Sequence, residues 1–172
     1  MSPTFFLYHL SPKPSMATNA AYENRKISNI LVAIDGSEHS FKAAEYALEL
    51  AKLYGSMLFA VTVTYIPTQD KLTQKQVIGK GLVEDESAGT KDSETWFDNF
   101  VKNAASMGVE LKPELINSTR PVDYVILEFA EEQNVDLIVV GTKGRTGFKK
   151  LLLGSTATSV VTYAHCPVLV VK

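Results

Sequence analysis

Cysteine is nearly absent from this chain of 172 residues, since Cys166 is the only one. A single cysteine excludes a disulfide bond within the chain, and such low usage is typical of a reducing compartment. Long apolar runs are also absent: no stretch approaches the roughly 20 residues that are needed to cross a bilayer. We therefore expect a cytoplasmic protein without membrane association.

The chain also has no excess of positive charge. Its 17 Lys and Arg residues stand against 19 Asp and Glu residues, which gives a formal net charge of -2. This balance leaves no basic footprint for duplex nucleic acid, so we expect no nucleic-acid partner. The hydrophobic fraction of 45% is ordinary for a globular protein, and a chain of this length can form one sizeable core.

Residues 1–26 differ from the rest of the sequence. The apolar run Phe5–Tyr8 is far shorter than a signal-peptide core, and no basic region precedes it. The following Pro12–Ser15 stretch is typical of a turn or linker. We predict a flexible N-terminal extension over residues 1–26, with Met16 as an alternative start and a single domain over residues 27–172. The alternative for the extension is an apolar tail that docks on a partner subunit.

Strand-like and helix-like segments alternate through residues 27–172. Apolar runs at 29–34, 57–65, 109–116, 137–140 and 168–171 indicate five strands. Apolar residues at helical spacing indicate helices that start near residues 40, 93, 121 and 155, and Trp96 and Phe100 are expected in the core. Residues 67–92 fit a long loop, and Pro113 places its strand at a sheet edge. The order predicts an α/β fold with an open, doubly wound parallel sheet.

The stretch Gly141–Thr156 carries the strongest functional signal. Glycines just after a buried strand let backbone N–H groups approach a ligand, and a Gly-Ser-Thr step that opens a helix offers N–H groups and hydroxyls to an anion. The spacing matches neither the Walker P-loop nor the dinucleotide fingerprint. The stretch predicts a phosphate cradle. Turn-forming glycines in a surface loop are the alternative, and Ser155 could serve as a helix N-cap.

Basic residues and one carboxylate accompany this cradle. Lys143 and Arg145 lie inside the loop and could offset phosphate charge, although a solvated role for Arg145 stays open. Lys149 and Lys150 are expected to be solvated. Asp35 follows the first strand, and the ends of the first and fourth strands should meet where the strand order reverses. Its carboxylate could bind a ribose or approach a magnesium ion, with a turn or cap role as the alternative.

No catalytic constellation is present in the sequence. His39 and His165 have no companion at ligand spacing, so no protein metal site is expected, and Cys166 is interpreted as a small packing residue. A Ser-His-Asp signature and a cluster of carboxylates are both lacking. An enzyme stays open, but nothing in the sequence specifies its chemistry.

Three features together resemble the universal stress protein family. They are Ile30–Ser37, Asp136–Gly141 and the spaced signature Gly141-x2-Gly144-x9-Gly154-Ser155, and the ending Cys166–Val171 is similar to the family's last strand. The resemblance covers about residues 27–172. It implies five parallel strands in the order 3-2-1-4-5, a Rossmann-like fold of the adenine nucleotide alpha hydrolase type, and a homodimer paired through the strand Val168–Val171.

The resemblance also implies a ligand and its contacts. The cofactor would be ATP, with Mg²⁺ held mainly by the phosphates; Asp35 would lie near ribose and phosphates, and the Val63 backbone would meet adenine. The other implied binding residues are Ala33, Val140, Gly141, Lys143, Gly144, Arg145, Gly154, Ser155, Thr156 and Ala157. Two departures from the family pattern are Thr62, where a histidine is frequent, and Ser118–Pro121, which lacks the usual glycine.

The sequence thus favours an ATP-binding universal stress protein. We expect a dimeric stress-response or signalling module with no or slow ATP hydrolysis, whose nucleotide state is recognised by an unidentified protein partner. Two alternatives stay open: a nucleotide-independent protein-interaction module of the same fold, and a binder of cyclic AMP.

Overall fold

The computed structural model describes residues 6–8, 26–66, 89–144 and 153–172. Six strands and four helices lie in these ranges: β1 (Phe6–Tyr8), β2 (Asn29–Ala33), α1 (Glu38–Tyr54), β3 (Met57–Tyr65), α2 (Gly89–Ser106), β4 (Leu111–Ser118), α3 (Val122–Glu132), β5 (Leu137–Gly141), α4 (Ser155–Tyr163) and β6 (Val168–Val171). None of the helices in these ranges combines the length and the apolar character needed to cross a membrane.

All six strands form one sheet in the order β1-β6-β5-β2-β3-β4. The five strands from β2 to β6 pair in parallel, which confirms the predicted doubly wound fold and its order 3-2-1-4-5. Pro113 lies on the edge strand β4, as predicted, because an edge strand tolerates the missing N–H of proline.

The sixth strand, β1, comes from the N-terminal extension. It pairs antiparallel with β6 of the same chain, whereas the sequence predicted a flexible segment there, with an apolar tail docked on a partner subunit as the alternative. The residues Phe6, Leu7 and Tyr8 include two aromatic side chains of high β-propensity, and the outer edge of β6 offers unpaired backbone groups to them. The rest of the predicted extension, up to residue 25, lies outside the described residues.

The core lies on both faces of the sheet. Because strand side chains alternate, Ile30 and Val32 pack on the face covered by α1 and α2. Leu31 and Ile138 pack on the opposite face with α3 and α4. Burial on both faces explains why the central strands are continuous apolar runs.

Two helices begin earlier than the sequence predicted. Helix α1 begins at Glu38 because the Ser37 hydroxyl caps it, accepting a hydrogen bond from the Ser40 N–H at 3.2 Å. Helix α2 begins at Gly89, inside the predicted loop of residues 67–92, while residues 67–88 lie outside the described ranges. On α2, Trp96 stacks on Phe41 with a centroid separation of 4.1 Å, which agrees with its predicted core role.

Asp136 aligns the two central strands at the end of the sheet opposite to the cradle. Its carboxylate accepts hydrogen bonds from the Ser28 N–H at 2.8 Å and the Asn29 N–H at 2.9 Å. These two bonds connect the start of β2 to the residue before β5. The register of β2 and β5 is thereby set, and with it the relative position of Asp35 and Gly141 at the other end.

Candidate functional site

A cavity of about 460 Å³ lies beyond the carboxyl ends of β2 and β5. This is the point where the strand order reverses, since β3 follows β2 on one side and β5 lies on the other. Parallel sheets bind ligands at this crevice, and the volume is within the usual range for small-molecule sites. The fold therefore creates the site where two sequence-distant signals, Asp35 and Gly141, were expected to meet.

The cavity gathers nearly all of the binding residues predicted from the sequence. Eleven of the twelve line it: Ala33, Asp35, Val63, Val140, Gly141, Lys143, Gly144, Gly154, Ser155, Thr156 and Ala157. The twelfth, Arg145, lies outside the described residues, as do Lys149 and Lys150.

Two glycines let the end of β5 and the residues after it pass close to the segment between Asp35 and His39. A Cβ atom at Gly141 would lie 2.7 Å from the backbone carbon of His39, and one at Gly144 would lie 2.5 Å from Oδ2 of Asp35. Contacts below 3 Å require something to shift. At Gly141 the contacted atoms are backbone, so glycine is needed for the close approach of β5 and α1 independently of any ligand, whereas at Gly144 the contacted atoms belong to a side chain that can rotate.

Backbone hydrogen bonds fix the described ends of the glycine stretch. The Gly154 N–H donates to the Thr142 carbonyl at 2.7 Å, and the Thr142 N–H donates to the Val171 carbonyl at 2.8 Å. The Ser37 hydroxyl donates to the Lys143 carbonyl at 3.3 Å. The loop thus leaves β5 and returns to α4 at nearly the same place, which positions the start of α4 at the cavity.

The start of α4 presents backbone donors to the cavity. Its N-cap is Gly154, with φ -72° and no side chain to cap the helix, and Ser155 is the first helical residue. The alternative role of Ser155 as N-cap is therefore wrong. The first N–H groups of a helix have no intrahelical partner and carry partial positive charge. An anion such as phosphate can bind to them.

Asp35 occupies the rim of the cavity. Its Oδ1 accepts a hydrogen bond from the Ser37 N–H at 3.0 Å, and its own N–H donates to the Ser40 hydroxyl at 3.3 Å. The residue is exposed, and Asp35 is the single carboxylate that lines the cavity among the described residues. Its position suits a contact with a hydroxyl or with a cation held by a ligand.

Sequence reasoning missed several lining residues. They are Ile34, Ser40, Val61, Thr62, Thr64, Tyr65, Val122 and Ile126, whereas Thr142 lies within the predicted glycine stretch. On α3, Val122 and Ile126 belong to the apolar residues at helical spacing. The Thr142 side chain is 9% exposed, and its hydroxyl has no hydrogen-bond partner within the described structure. A buried hydroxyl of this kind can be satisfied by a bound ligand.

The side chains of His165 and Cys166 lie outside the cavity. His165 lies with its Nε2 3.1 Å from the Val135 carbonyl oxygen, away from the cavity. Burial, followed by the charge of Asp136, raises the pKa of the Cys166 thiol to about 11. Within the described ranges, no group of three His, Cys, Asp or Glu residues could hold a metal ion.

The fold and the cavity define a class of protein. A parallel sheet with a crevice at its switch point, lined by glycine backbone and a helix N-terminus, is the architecture of doubly wound α/β proteins that bind phosphate-bearing ligands. Within this class the chain belongs to the universal stress protein family, whose sequence model matches residues 26–172. The resemblance seen in the sequence is thereby confirmed.

Curated relatives support this assignment over the whole domain. A universal stress protein of Methanocaldococcus jannaschii is 35% identical over 146 residues, which cover 83% of this chain and 81% of the relative. A universal stress protein of Bacillus subtilis is 33% identical over 148 residues, covering 84% of this chain and 99% of the relative.

Solved structures share the fold at lower identity. The universal stress protein UspA from Lactobacillus plantarum matches with a TM-score of 0.66 and 24% identity, covering 87% of this chain and 100% of its own. An Archaeoglobus fulgidus universal stress protein solved with dAMP has a TM-score of 0.57 and 24% identity, covering 86% of this chain and 99% of its own.

Two further neighbours were solved with related ligands. A universal stress protein in complex with cAMP has a TM-score of 0.58 and 20% identity, covering 86% of this chain and 98% of its own. An Arabidopsis thaliana family member with AMP bound has a TM-score of 0.54 and 16% identity, covering 84% of this chain and 91% of its own.

Proposed function

We propose that this protein binds ATP in the cavity between β2 and β5 and acts as a dimeric, cytoplasmic stress-response or signalling module. The observation that carries the proposal is the cavity itself, where eleven predicted binding residues from separate parts of the chain meet around one space. A family resemblance in sequence alone does not require this convergence. A phosphate-bearing ligand explains both the glycine backbone and the uncapped start of α4.

The two ends of the cavity differ in chemistry, which orients the ligand. Apolar side chains of β3 and α3 form one wall, with Val61 and Ile126 almost fully buried. The other end consists of the backbone of residues 141–144 and the start of α4. We place the adenine against the apolar wall and the phosphates against the backbone donors, because each part of the nucleotide then has a matching surface.

The residues present also suit a nucleotide with its magnesium ion. The unpartnered Thr142 hydroxyl and the Lys143 side chain lie beside the proposed phosphate position. Mg²⁺ prefers oxygen ligands and usually keeps several waters when it is bound through phosphates. Asp35 is the single lining carboxylate in the described ranges. The phosphates would therefore supply most of the magnesium ligands, and the ion would approach the Asp35 carboxylate.

We propose sensing rather than turnover. Among the described lining residues, Asp35 is the one side chain that could act as a general base, and it lies exposed at the rim. Orientation of an attacking water requires a positioned base within hydrogen-bond reach. Hydrolysis of ATP should therefore be absent or slow, and the bound nucleotide would instead bias a conformation or partner surface.

The ligands of structural neighbours are consistent with this proposal. Neighbours were solved with AMP, dAMP and cAMP, which share an adenine, a sugar and at least one phosphate. The neighbour with cAMP favours cyclic AMP as the second candidate ligand. The candidates differ in phosphate charge and in whether the 3′-hydroxyl is free.

Isothermal titration calorimetry of the purified protein with ATP, AMP and cAMP, each with and without Mg²⁺, tests the proposal. We expect the tightest binding for ATP with Mg²⁺. The Gly154→Val variant should fold but lose binding, because its Cβ would lie in ordinary contact with Thr142, Lys143 and Gly144 and its methyl groups would enter the phosphate end. Thr162→Val is the matched control, since Thr162 is exposed further along the same helix.

Absence of binding at millimolar ATP would overturn the proposal. Tighter binding of cAMP than of ATP would replace the ligand but keep the site. If a Gly154→Val protein remains folded and still binds ATP, the nucleotide must bind outside this cavity. Equal partner binding by Gly154→Val and the unchanged chain would favour the nucleotide-independent interaction module.

A further inference from the structure

The outer edge of β6 is covered by a strand from the other end of the chain. Strand β1 pairs antiparallel with β6, and Leu7 lies opposite Leu169. The inner edge of β6 pairs with β5 in parallel. Strand β1 is therefore the single antiparallel member of the sheet in the described ranges, and it is placed where the sheet would otherwise end.

An uncovered β6 edge would bind other strands readily. All four residues of β6 are apolar, and none is more than 8% exposed. Such an edge presents a row of N–H and C=O groups that pair with any extended chain of suitable register. Each of these backbone groups can serve one neighbouring strand at a time. Strand β1 and a strand of another molecule are therefore mutually exclusive occupants.

The tether to β1 is long compared with the distance it must cover. Residues 9–25 connect β1 to the domain, and these 17 residues can span up to about 60 Å when extended. The domain chain enters the sheet at β2, and β1 lies three strand spacings away, or roughly 14 Å. The tether therefore permits docking of β1 on its own chain and equally permits its release.

Strand β1 runs in the direction that the β6 strand of a second copy would have in a symmetric dimer. In a two-fold symmetric dimer each subunit presents the same surface, so two β6 edges that meet must run antiparallel. Strand β1 has this orientation relative to β6. A short strand of three residues makes few ladder bonds, so a longer or better matched strand can displace it.

We propose that the outer edge of β6 is a strand-docking surface whose intramolecular occupant is β1, and that β1 competes with the β6 edge of a second copy. The N-terminal extension thereby controls assembly: the chain is monomeric when β1 is docked and dimerises when β1 is released. This inference rests on the homodimer that forms part of the proposed function. It adds the element that opposes that dimer.

A protein that begins at Met16 lacks β1 and provides a short chain for the test. Sedimentation velocity over a range of concentrations gives the dimer dissociation constant for this short chain and for the full chain. If β1 is docked in about nine of ten molecules, both copies must release it before pairing. The full chain should then dimerise about 100-fold more weakly than the short chain.

A proline variant separates pairing from chain length. Replacing Phe6, Leu7 and Tyr8 by proline removes every N–H of β1, and this full-length protein should dimerise like the short chain. The matched control places three prolines in the tether instead, at Thr18, Asn19 and Ala20. The control should dimerise as weakly as the unchanged protein, because β1 itself is intact.

Cysteine cross-linking identifies which chain supplies β1. In a Cys166→Ala background, Leu7→Cys and Leu169→Cys place two thiols at directly opposed positions. A disulfide within single chains supports the proposal, whereas a covalent dimer would show strand exchange between copies and overturn it. Equal dimerisation of the full and short chains, or a short chain that stays monomeric, would also overturn it.

Nucleotide titration of the short chain keeps this test separate from the proposed function. Neither β1 nor β6 contributes a residue to the described lining of the cavity. ATP binding by a short chain that does not dimerise would reject the edge proposal and leave the ligand proposal intact. Tight dimerisation of a short chain that binds no nucleotide would support the edge proposal and reject the proposal that the cavity binds ATP.

Discussion

At the scale of single residues, Gly141 and Gly144 meet different kinds of atoms. A methyl group at Gly141 would contact the backbone of His39, which is part of helix α1 and cannot move alone. A methyl group at Gly144 would contact the tip of the Asp35 side chain. Backbone clashes require elements to shift, whereas a side chain can rotate. A substitution at Gly141 should therefore affect mainly the stability of the fold, and a substitution at Gly144 should affect mainly ligand binding.

Gly141→Ala should destabilise the fold. The overpacked contact between β5 and α1 should lower the free energy of unfolding by about 1–3 kcal/mol. Urea unfolding followed by circular dichroism measures the change. A difference of less than about 0.5 kcal/mol would contradict the close approach of the two elements.

Gly144→Ala should instead affect ligand binding more than stability. The added methyl group displaces the Asp35 carboxylate from its position at the rim, and we expect ATP affinity to fall about tenfold, which corresponds to about 1.4 kcal/mol. Calorimetric titration measures the affinity. Because the effect acts through Asp35, the double variant with Asp35→Ala should bind no more weakly than Asp35→Ala alone. Additive losses would contradict this route.

Cys166 should react slowly with alkylating reagents. With a pKa of about 11, its thiolate fraction at pH 8 is far below that of an ordinary thiol with a pKa of about 8.5. Since the thiolate is the nucleophile, alkylation of the folded protein should be at least about 100-fold slower than in urea. The rate should rise about tenfold per pH unit up to pH 10. Equal alkylation rates in the folded and unfolded protein would contradict the raised pKa of Cys166.

At the scale of elements, helix α2 is connected to the domain by a short aromatic stack. Trp96 lies between Phe41 of α1 and Phe100, with centroid separations of 4.1 Å and 5.0 Å. Stacked aromatic pairs contribute roughly 0.5–1.5 kcal/mol beyond their area burial. The chain contains one tryptophan, so its fluorescence reports directly on this contact.

Phe41→Ala should loosen α2. Loss of the stacked ring should shift Trp96 emission to longer wavelength and lower the free energy of unfolding by about 1–3 kcal/mol. Phe97→Ala is the control, because it removes a ring of the same size from α2, the helix that carries Trp96. It should shift the emission less, since Phe97 contacts Phe100 rather than Trp96 in the described stack. An equal shift in both variants would contradict the proposed contact.

Element boundaries show which parts of the fold the sequence could predict. The five parallel strands were predictable because burial on both faces produces continuous apolar runs such as Leu137–Val140. Helix α1 begins at Glu38 because a side-chain cap at Ser37 outweighs the start of apolar periodicity. Strand β1 could not be predicted, since three residues carry no periodicity and their partner lies at the opposite end of the chain.

The site was predictable where backbone shape requires a particular residue. At Gly141 a Cβ atom would meet the backbone of His39, and at Gly144 it would meet the Asp35 carboxylate, so both contacts favour a residue without a side chain. In contrast, Ile126 lines the cavity with the same apolar side chain that a core position requires. Helical spacing cannot distinguish these two uses. Apolar walls of binding sites therefore emerge only when the elements are assembled.

At the scale of the whole molecule, the cavity depends on the assembly of segments from several elements. Its described lining comes from the ends of β2 and β3, from α3, and from the segments around Gly141 and Gly154. These segments are spread over residues 33–157 of the sequence and meet only in the folded domain. A ligand that binds there has little affinity for the unfolded chain, so its binding free energy adds to the stability of the fold.

ATP should therefore raise the melting temperature of the protein. At a free ATP concentration 100 times the dissociation constant, the native state gains about 2.7 kcal/mol. For a domain of this size, such a gain corresponds to roughly 5–10 °C. Differential scanning calorimetry measures the shift, and Gly154→Val should show none because its phosphate end is filled. An equal shift in Gly154→Val and in the unchanged protein would locate the bound nucleotide outside this cavity.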